Sequence, residues 1–270
     1  MVATALLALL ICHAAAASML STVGTSPWSD AWTNSFLAGT TWSMKLNVGR
    51  EPNTRMPEAW AKSGARLLLS SMQVEFQDEL VDGDNLPLRW TVEEPACCPA
   101  RRLKATAGSF VGASGEVTVA VRDGGWLAEP ADRCGQRVLR FYLDFPDGAQ
   151  RNDAVLPAGR VFFNTHCWDG AELATYKAEA EGVEAELDEL KAGRLLIPGS
   201  QKADTLGYHL EILERSLPKG PVLEGPGNVQ LAADGTIAVK ANSITNLFGM
   251  LGGNAYHQIG KFSLAPLDES

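Results

Sequence analysis

Hydrophobic and polar residues alternate along most of the chain after Thr41. The first run places Trp42, Met44, Leu46 and Val48 between polar neighbours. Successive side chains of a strand point to opposite faces of its sheet, so each such run predicts a strand with one buried and one solvated face, as in antiparallel sheets. Runs of this kind cover residues 42–48, 72–76, 117–121, 139–145, 160–168, 206–213, 236–241 and 261–264.

Short sequences typical of turns separate several of these runs. They are Asp82-Gly83, Asp123-Gly124-Gly125, Pro146-Asp147-Gly148 and Asp234-Gly235. Glycine accepts positive φ, and aspartate bonds to nearby backbone, which favours a reversal of the chain. About nine or ten short strands joined in this way predict a mainly β protein. We expect an antiparallel β-barrel, because closure removes the exposed edges of the sheet.

One segment departs from the period of two and predicts a single helix near residues 170–192, inserted between two strands. Val183, Leu187 and Leu190 recur at helical spacing. Asp169 is a suitable N-cap residue, with Glu172 as the acidic third residue of a capping box, and Gly193 is a suitable C-terminal stop. The many acidic residues of this helix indicate a solvated face or, alternatively, an acidic docking surface.

The N-terminal residues predict targeting rather than folded structure. Residues 1–18 are apolar and end in small residues, which is typical of a signal peptide and too short to span a bilayer. Residues 19–40 are rich in Ser and Thr, with Asp30 as the only acid, and they resemble a transit segment. The combination favours delivery to a plastid through the secretory pathway, with a secreted or lumenal protein as the alternative. Residues 41–270 then form a single barrel domain.

Composition and charge exclude several functions. The chain of 270 residues has 23 Lys and Arg against 32 Asp and Glu, a net charge of -9. Because nucleic-acid binding depends on basic side chains that neutralise phosphates, no nucleic-acid partner is expected. No paired CxxC or HxxxH spacing and no GxSxG motif occurs, so the sequence indicates no metal site, no cofactor and no catalytic centre. This favours a protein without enzymatic activity.

Four cysteines follow the signal peptide and allow disulfides in an oxidising compartment: Cys97, Cys98, Cys134 and Cys167. Adjacent cysteines seldom bridge each other, so Cys97 or Cys98 would pair with Cys134 or Cys167. The sequence leaves the connectivity open.

Two irregular segments interrupt the predicted strands. The longer, Leu46–Leu67, carries Arg50, Glu51 and Trp60. The arginine has planar donors for a carboxylate or phosphate, and the tryptophan offers a surface that could stack on or cap a ligand. Long irregular loops in a single domain are often functional. The alternative is that Arg50 pairs with Glu51 and Trp60 packs over the barrel end. The second segment, residues 145–163, predicts a long hairpin connection.

The sequence Gly39-Thr-Thr-Trp42 at the first strand resembles the start of lipocalins and of the plastid lipid-associated fibrillins. Lipocalins have one residue between Gly and Trp, and this chain has two. The resemblance implies a barrel with Trp42 at its floor that holds a lipid, pigment or quinone. The segments GREP, MPEAW, SGARL and LPAGRVFF resemble uncharacterised proteins of algae with secondary plastids.

Two functions are therefore expected. The first is a non-enzymatic protein that binds a small apolar ligand inside a barrel larger than its side chains can fill. The second is a structural or interaction protein, such as an auxiliary factor of a photosynthetic membrane complex, with a packed barrel and an exposed apolar patch. The apolar segment 244–253 would suit contact with a membrane surface, cover of a pocket mouth, or burial against the barrel end. Candidate ligand-binding residues are Trp42, Arg50, Glu51, Trp60, Phe141, Phe163 and His166.

Overall fold

A computed structural model describes residues 37–50, 60–86, 98–129, 136–193, 200–225, 228–240 and 256–267. The predicted signal peptide, most of the predicted transit segment, Glu51, Cys97, Cys134 and the apolar segment 244–253 lie outside the described residues.

Strands account for 59% of the described residues, which confirms the prediction of a mainly β protein. In chain order they are β1 (Thr40–Gly49), β2 (Arg66–Leu86), β3 (Cys98–Ala105), β4 (Gly108–Gly112), β5 (Gly115–Val119), β6 (Arg122–Ala128), β7 (Arg137–Phe145), β8 (Ala149–Arg151), β9 (Ala154–Leu156), β10 (Gly159–Asp169), β11 (Val222–Glu224), β12 (Val229–Ala232), β13 (Asp234–Lys240) and β14 (Tyr256–Pro266). The described helices are α1 (Gly170–Lys191) and α2 (Ser200–Ser216).

Eight of these strands form a closed antiparallel barrel, as the alternation predicts. Around the barrel the order is β1, β2, β3, β6, β7, β10, β13 and β14, and each strand pairs with the next. The last strand pairs with the first, with Trp42 opposite Pro266 and Val48 opposite Gly260. Because neighbours in the barrel are also successive barrel strands along the chain, the connections stay local.

The inward face of each barrel strand carries the alternating apolar residues. On β1 these are Trp42, Met44, Leu46 and Val48, all at most 1% exposed. Cross-strand pairs of such residues stabilise the sheet, and together they form one core cluster that reaches all eight strands.

The barrel has additional elements at both ends. At the end where β1 begins, which we call the Trp42 end, the β11–β12 hairpin continues the core through Leu223 and Leu231. At the opposite end, Ala61 forms a bridge with Ala154 of β9, and the amide of Val155 donates to the carbonyl of Trp60 at 2.8 Å. In the sequence, the β8–β9 hairpin lies between β7 and β10, and the β11–β12 hairpin lies between β10 and β13.

Helix α1 matches the predicted helix closely. The Asp169 side chain accepts hydrogen bonds from the amides of Ala171 and Glu172, which confirms the N-cap. Gly193 has a φ of 69°, the left-handed conformation of a helix stop. The Glu172 side chain does not accept a hydrogen bond from the Asp169 amide, so the capping box is not completed in this structure. Instead, Oε2 of Glu172 pairs with Nη1 of Arg137 on β7 at 2.9 Å, and this ion pair connects the helix to the barrel wall.

The strand predicted for residues 206–213 is wrong, because this segment belongs to α2. Its apolar residues fit both the period of two of a strand and the period of 3.6 of a helix. Leu206, Tyr208, Leu210 and Ile212 alternate as in a strand, and Leu206, Leu210 and Leu213 are spaced as one side of a helix. In the structure Leu213 packs against Ala180 of α1, so contact between the helices decides in favour of the helical period.

Only one of the four predicted turns is confirmed. Gly148 has a φ of 62° and donates to the Phe145 carbonyl at 3.3 Å, which closes the turn after β7. The other three sequences lie within β2, β6 and β13. In β6 the glycine does not reverse the chain but allows the backbone of β7 to approach closely. A Cβ atom at Gly124 would overlap the carbonyl oxygen of Tyr142.

Candidate functional site

The aromatic candidates Phe141 and Phe163 lie together inside the barrel. Their rings are stacked with centroids 4.8 Å apart, and both meet Phe262 edge to face at 5.3 Å. Phe76 adds a further edge contact to Phe141 at 5.9 Å. Offset-stacked and edge-to-face arrangements are the favoured geometries of aromatic pairs.

No water-sized space adjoins the central rings. The accessible surface is 0% for each of four aromatic side chains, Trp42, Phe76, Phe141 and Phe163. Because a cavity that could hold a water molecule beside a ring would expose part of that ring to the probe, no such cavity borders them. The core is therefore closely packed around these four side chains.

Trp42 lies on β1 at the Trp42 end of the barrel, opposite to the end that carries the loop candidates Arg50 and Trp60. Its indole Nε1 donates to the hydroxyl of Thr40 at 2.9 Å, and this hydroxyl donates to the Leu37 carbonyl at 2.6 Å. The polar atom of the ring is thus satisfied within the chain, and the ring acts as part of the core.

Arg50 and Trp60 lie at the opposite end of the barrel. The Arg50 carbonyl accepts a hydrogen bond from Nη1 of Arg66 at 2.8 Å, and Trp60 meets His257 edge to face with centroids 5.9 Å apart. Burial lowers the pKa of His257, whose Nε2 is buried without a hydrogen-bond partner among the described residues. Trp60 packs against the core, in agreement with the structural alternative for this loop.

His166 occupies a third place, a cleft on the outside of the barrel wall at the Trp42 end. It is exposed, because it lies on the face of β10 opposite to that of Phe163. The cleft has a volume of about 390 Å³ and brings together β10, the segment after α2 and the turn between β12 and β13. Its lining residues are Gln136, His166, Trp168, Arg215, Leu217, Pro218, Lys219, Gly220, Pro221, Ala232, Ala233 and Asp234.

The Ser216 carbonyl ties the end of α2 to the barrel wall beside this cleft. It accepts hydrogen bonds from the indole Nε1 of Trp168 at 3.0 Å and from Nε2 of Gln136 at 3.1 Å. Further along the segment, the Ala233 amide donates to the Pro221 carbonyl at 3.2 Å. The segment that leaves α2 is therefore held against the barrel at both of its ends.

The predicted disulfide to Cys167 is wrong. Its side chain points into the barrel interior, is fully buried and carries a free thiol, so a bridge from Cys167 to another cysteine is not formed in this structure. The physical reason is its inward position on β10 within the apolar core. Burial raises the pKa of this thiol to about 12, against a smaller opposing effect of Arg137.

The structure thus distributes the predicted site residues over three places instead of one pocket. Phe141 and Phe163 meet in the interior, and Trp42 belongs to the same core at one end of the barrel. Arg50 and Trp60 share the opposite end, and His166 lies outside. Sequence reasoning missed Arg215 and Lys219 as neighbours of His166, since the three come together only through the path of α2. No local pattern could have indicated this juxtaposition.

The described side chains form no cluster of three potential metal ligands. Neither described helix has the length and apolar character that a membrane crossing requires. Among the same residues, His209 and Glu179 approach at 2.9 Å, but this exposed pair joins α1 to α2 on the surface and lies outside the lining of the cleft. The described residues that line the cleft include hydrogen-bonding and charged side chains.

The chain matches no protein-family model, and it has no significant match among curated proteins or solved structures.

Proposed function

We propose that this protein is a non-enzymatic interaction protein whose solid barrel presents the β4–β5 hairpin to an extended strand of a partner protein. The single observation that carries the proposal is the exposed outer edge of β5. Within the described residues β5 pairs only with β4, and four of its five residues, from Gly115 to Thr118, are exposed.

The hairpin is firmly attached at its base. Phe110 and Val119 point into the core and are 6% and 3% exposed, and Ser109 of β4 pairs with Ser70 of β2. The Ser109 hydroxyl also donates to the Glu116 carboxylate at 2.6 Å across the hairpin. A preorganised strand loses little conformational entropy on binding, which favours the addition of a partner strand.

The edge has only part of the usual protection against strand pairing. Natural edge strands are often very short or carry charges, prolines or bulges. The strand β5 has five residues, GEVTV, without a proline or a bulge, and its one charged side chain, Glu116, is engaged by Ser109 of β4. Apolar side chains also remain exposed nearby: Val117 is 37% exposed, Val111 is 68% exposed, and Leu68 of the adjoining β2 is 52% exposed. Main-chain hydrogen bonds along β5 would supply affinity, and these apolar side chains would select a partner strand with apolar residues.

The packed interior supports this proposal over an apolar ligand inside the barrel. Such a ligand would lie against Trp42, Phe141 and Phe163, and none of these side chains has surface that a probe the size of water can reach. A ligand inside the barrel remains a prediction.

The test is site-specific photo-cross-linking in the cells that make the protein. A benzophenone amino acid replaces Val117 on β5 or, as the matched control, Tyr208 of α2, which is 67% exposed. We expect a partner protein to be cross-linked from position 117 and not from 208, and to be lost when Thr118→Pro is added. Equal cross-linking from both positions, or none from 117, would contradict the proposal.

A further inference from the structure

We propose that the cleft at His166 binds a small organic carboxylate with an apolar body. This inference is independent of the β5 edge, because the cleft lies on β10 and the segment after α2. Its volume of about 390 Å³ falls within the range of natural small-molecule sites, about 300–1,000 Å³.

Charge in the cleft matches a monoanion. Arg215 and Lys219 supply two positive charges, and Asp234 is the one acidic residue among the described residues that line the cleft. Glu211, which is not among these lining residues, pairs with Arg215 at the exposed surface. An anion in the cleft would replace Glu211 as the partner of Arg215 and would also be attracted by Lys219, whereas a cation would be repelled by both.

The donors suit a carboxylate in particular. The Arg215 guanidinium has a planar fork of N–H donors that matches the two oxygens of a carboxylate. Its contact with Glu211, one turn earlier on α2, is an exposed pair through Nη2, and such pairs contribute little stability. The ammonium group of Lys219, another residue of the lining, adds a second charged donor.

The negative end of α2 does not oppose the anion strongly. Helix C-termini carry partial negative charge on their free carbonyls. Here the Ser216 carbonyl already accepts bonds from Trp168 and Gln136, which compensates part of that charge.

The remaining lining suits an apolar body. The rings of His166 and Trp168 lie side by side with centroids 6.3 Å apart, and Leu217 and Pro218 are half-buried on the facing segment. Pro218 and Pro221 restrict this segment, so the walls are already formed before a ligand enters.

Isothermal titration calorimetry of the full chain with benzoate, and with its uncharged analogue benzamide, tests the proposal. We expect saturable benzoate binding, with benzamide about tenfold weaker because charge-assisted hydrogen bonds are lost. Lys219→Gln and Arg215→Gln should each weaken benzoate binding about tenfold, and Lys177→Gln, an exposed control on α1, should leave it unchanged.

Several results would overturn the proposal: no saturable binding, equal affinity for benzoate and benzamide, or full affinity in the Arg215→Gln/Lys219→Gln double variant. An equal loss with Lys177→Gln would show attraction by overall charge instead of a site. Inorganic phosphate serves as a competitor. We expect it to displace benzoate only at higher concentration, and displacement at lower concentration would contradict the assignment to a carboxylate.

Discussion

The backbone of Gly225 lies directly against the indole ring of Trp42. A Cβ atom at residue 225 would overlap Cζ2 and Cη2 of the ring, so only glycine fits this position without movement of the chain. The Gly225 amide also donates to the Val229 carbonyl at 2.8 Å, which holds the β11–β12 hairpin over the Trp42 end. The ring and the hairpin thus close the barrel together.

Gly225→Ala should therefore destabilise the protein by about 1–3 kcal/mol, since an overpacked core forces side chains or backbone to shift. Gly182→Ala is the matched control. Gly182 lies in the exposed middle of α1 with open space around it, and alanine there should stabilise the protein by about 0.5–1 kcal/mol. Urea denaturation of both variants measures the free energies of unfolding. An unchanged stability in Gly225→Ala would mean that the hairpin does not seal the barrel.

Phe141→Ala should cost about 3–5 kcal/mol of folding free energy, because it removes the ring that contacts Phe76, Phe163 and Phe262. Val111→Ala, at a site that is 68% exposed, should change stability by less than about 0.5 kcal/mol. Equilibrium denaturation distinguishes the two. A small cost at Phe141 would indicate that the interior tolerates empty space, as a ligand-binding barrel does.

Stability should fall as the pH decreases below about 6.5, the ordinary pKa of histidine. Burial lowers the pKa of His257 in the folded state, so the unfolded chain binds the proton more readily and protonation favours unfolding. The loss ends once the pH is below the folded pKa as well. Thermal unfolding from pH 7.5 to pH 5 measures it. His257→Gln should reduce this dependence, and an unchanged slope in that variant would assign it to other groups.

The thiol of Cys167 should resist alkylation in the native protein. It is fully buried, and its pKa of about 12 leaves almost no reactive thiolate at neutral pH. Iodoacetamide labelling followed by peptide mass spectrometry should find the peptide with Cys167 unmodified in buffer and modified in urea. Rapid native labelling would place the thiol at the surface and contradict the inward orientation of this part of β10.

Strand content was predictable because a period of two depends on local sequence alone. It identified β1, β7 and β10, and the capping residues Asp169 and Gly193 located α1. Helix α2 was not predictable, because its apolar residues fit two periods: Leu206, Tyr208, Leu210 and Ile212 fit the period of a strand, and Leu206, Leu210 and Leu213 fit that of a helix. Packing of Leu213 against α1 selects the helix. A local pattern therefore distinguishes a helix from a strand only where the apolar residues fit a single period.

The candidate site was less predictable than the fold. Alternation predicts which side chains face inward, and Phe141 and Phe163 do face the interior. It gives no measure of how closely such side chains pack, so the stacking of these two rings was not predictable. The cleft depends on distant segments, since Gln136, His166 and Lys219 meet only after the barrel closes. A contact between residues so far apart leaves no trace in a single sequence.

The most direct test of the central claim, a solid barrel that acts through its surface, is native mass spectrometry of the protein purified from the cells that make it, combined with analysis of an organic extract. The account predicts a barrel without a stoichiometric lipid, pigment or quinone, and a copurifying protein that is lost in the Thr118→Pro variant. One apolar molecule per chain, retained in that variant and released only on unfolding, would contradict it.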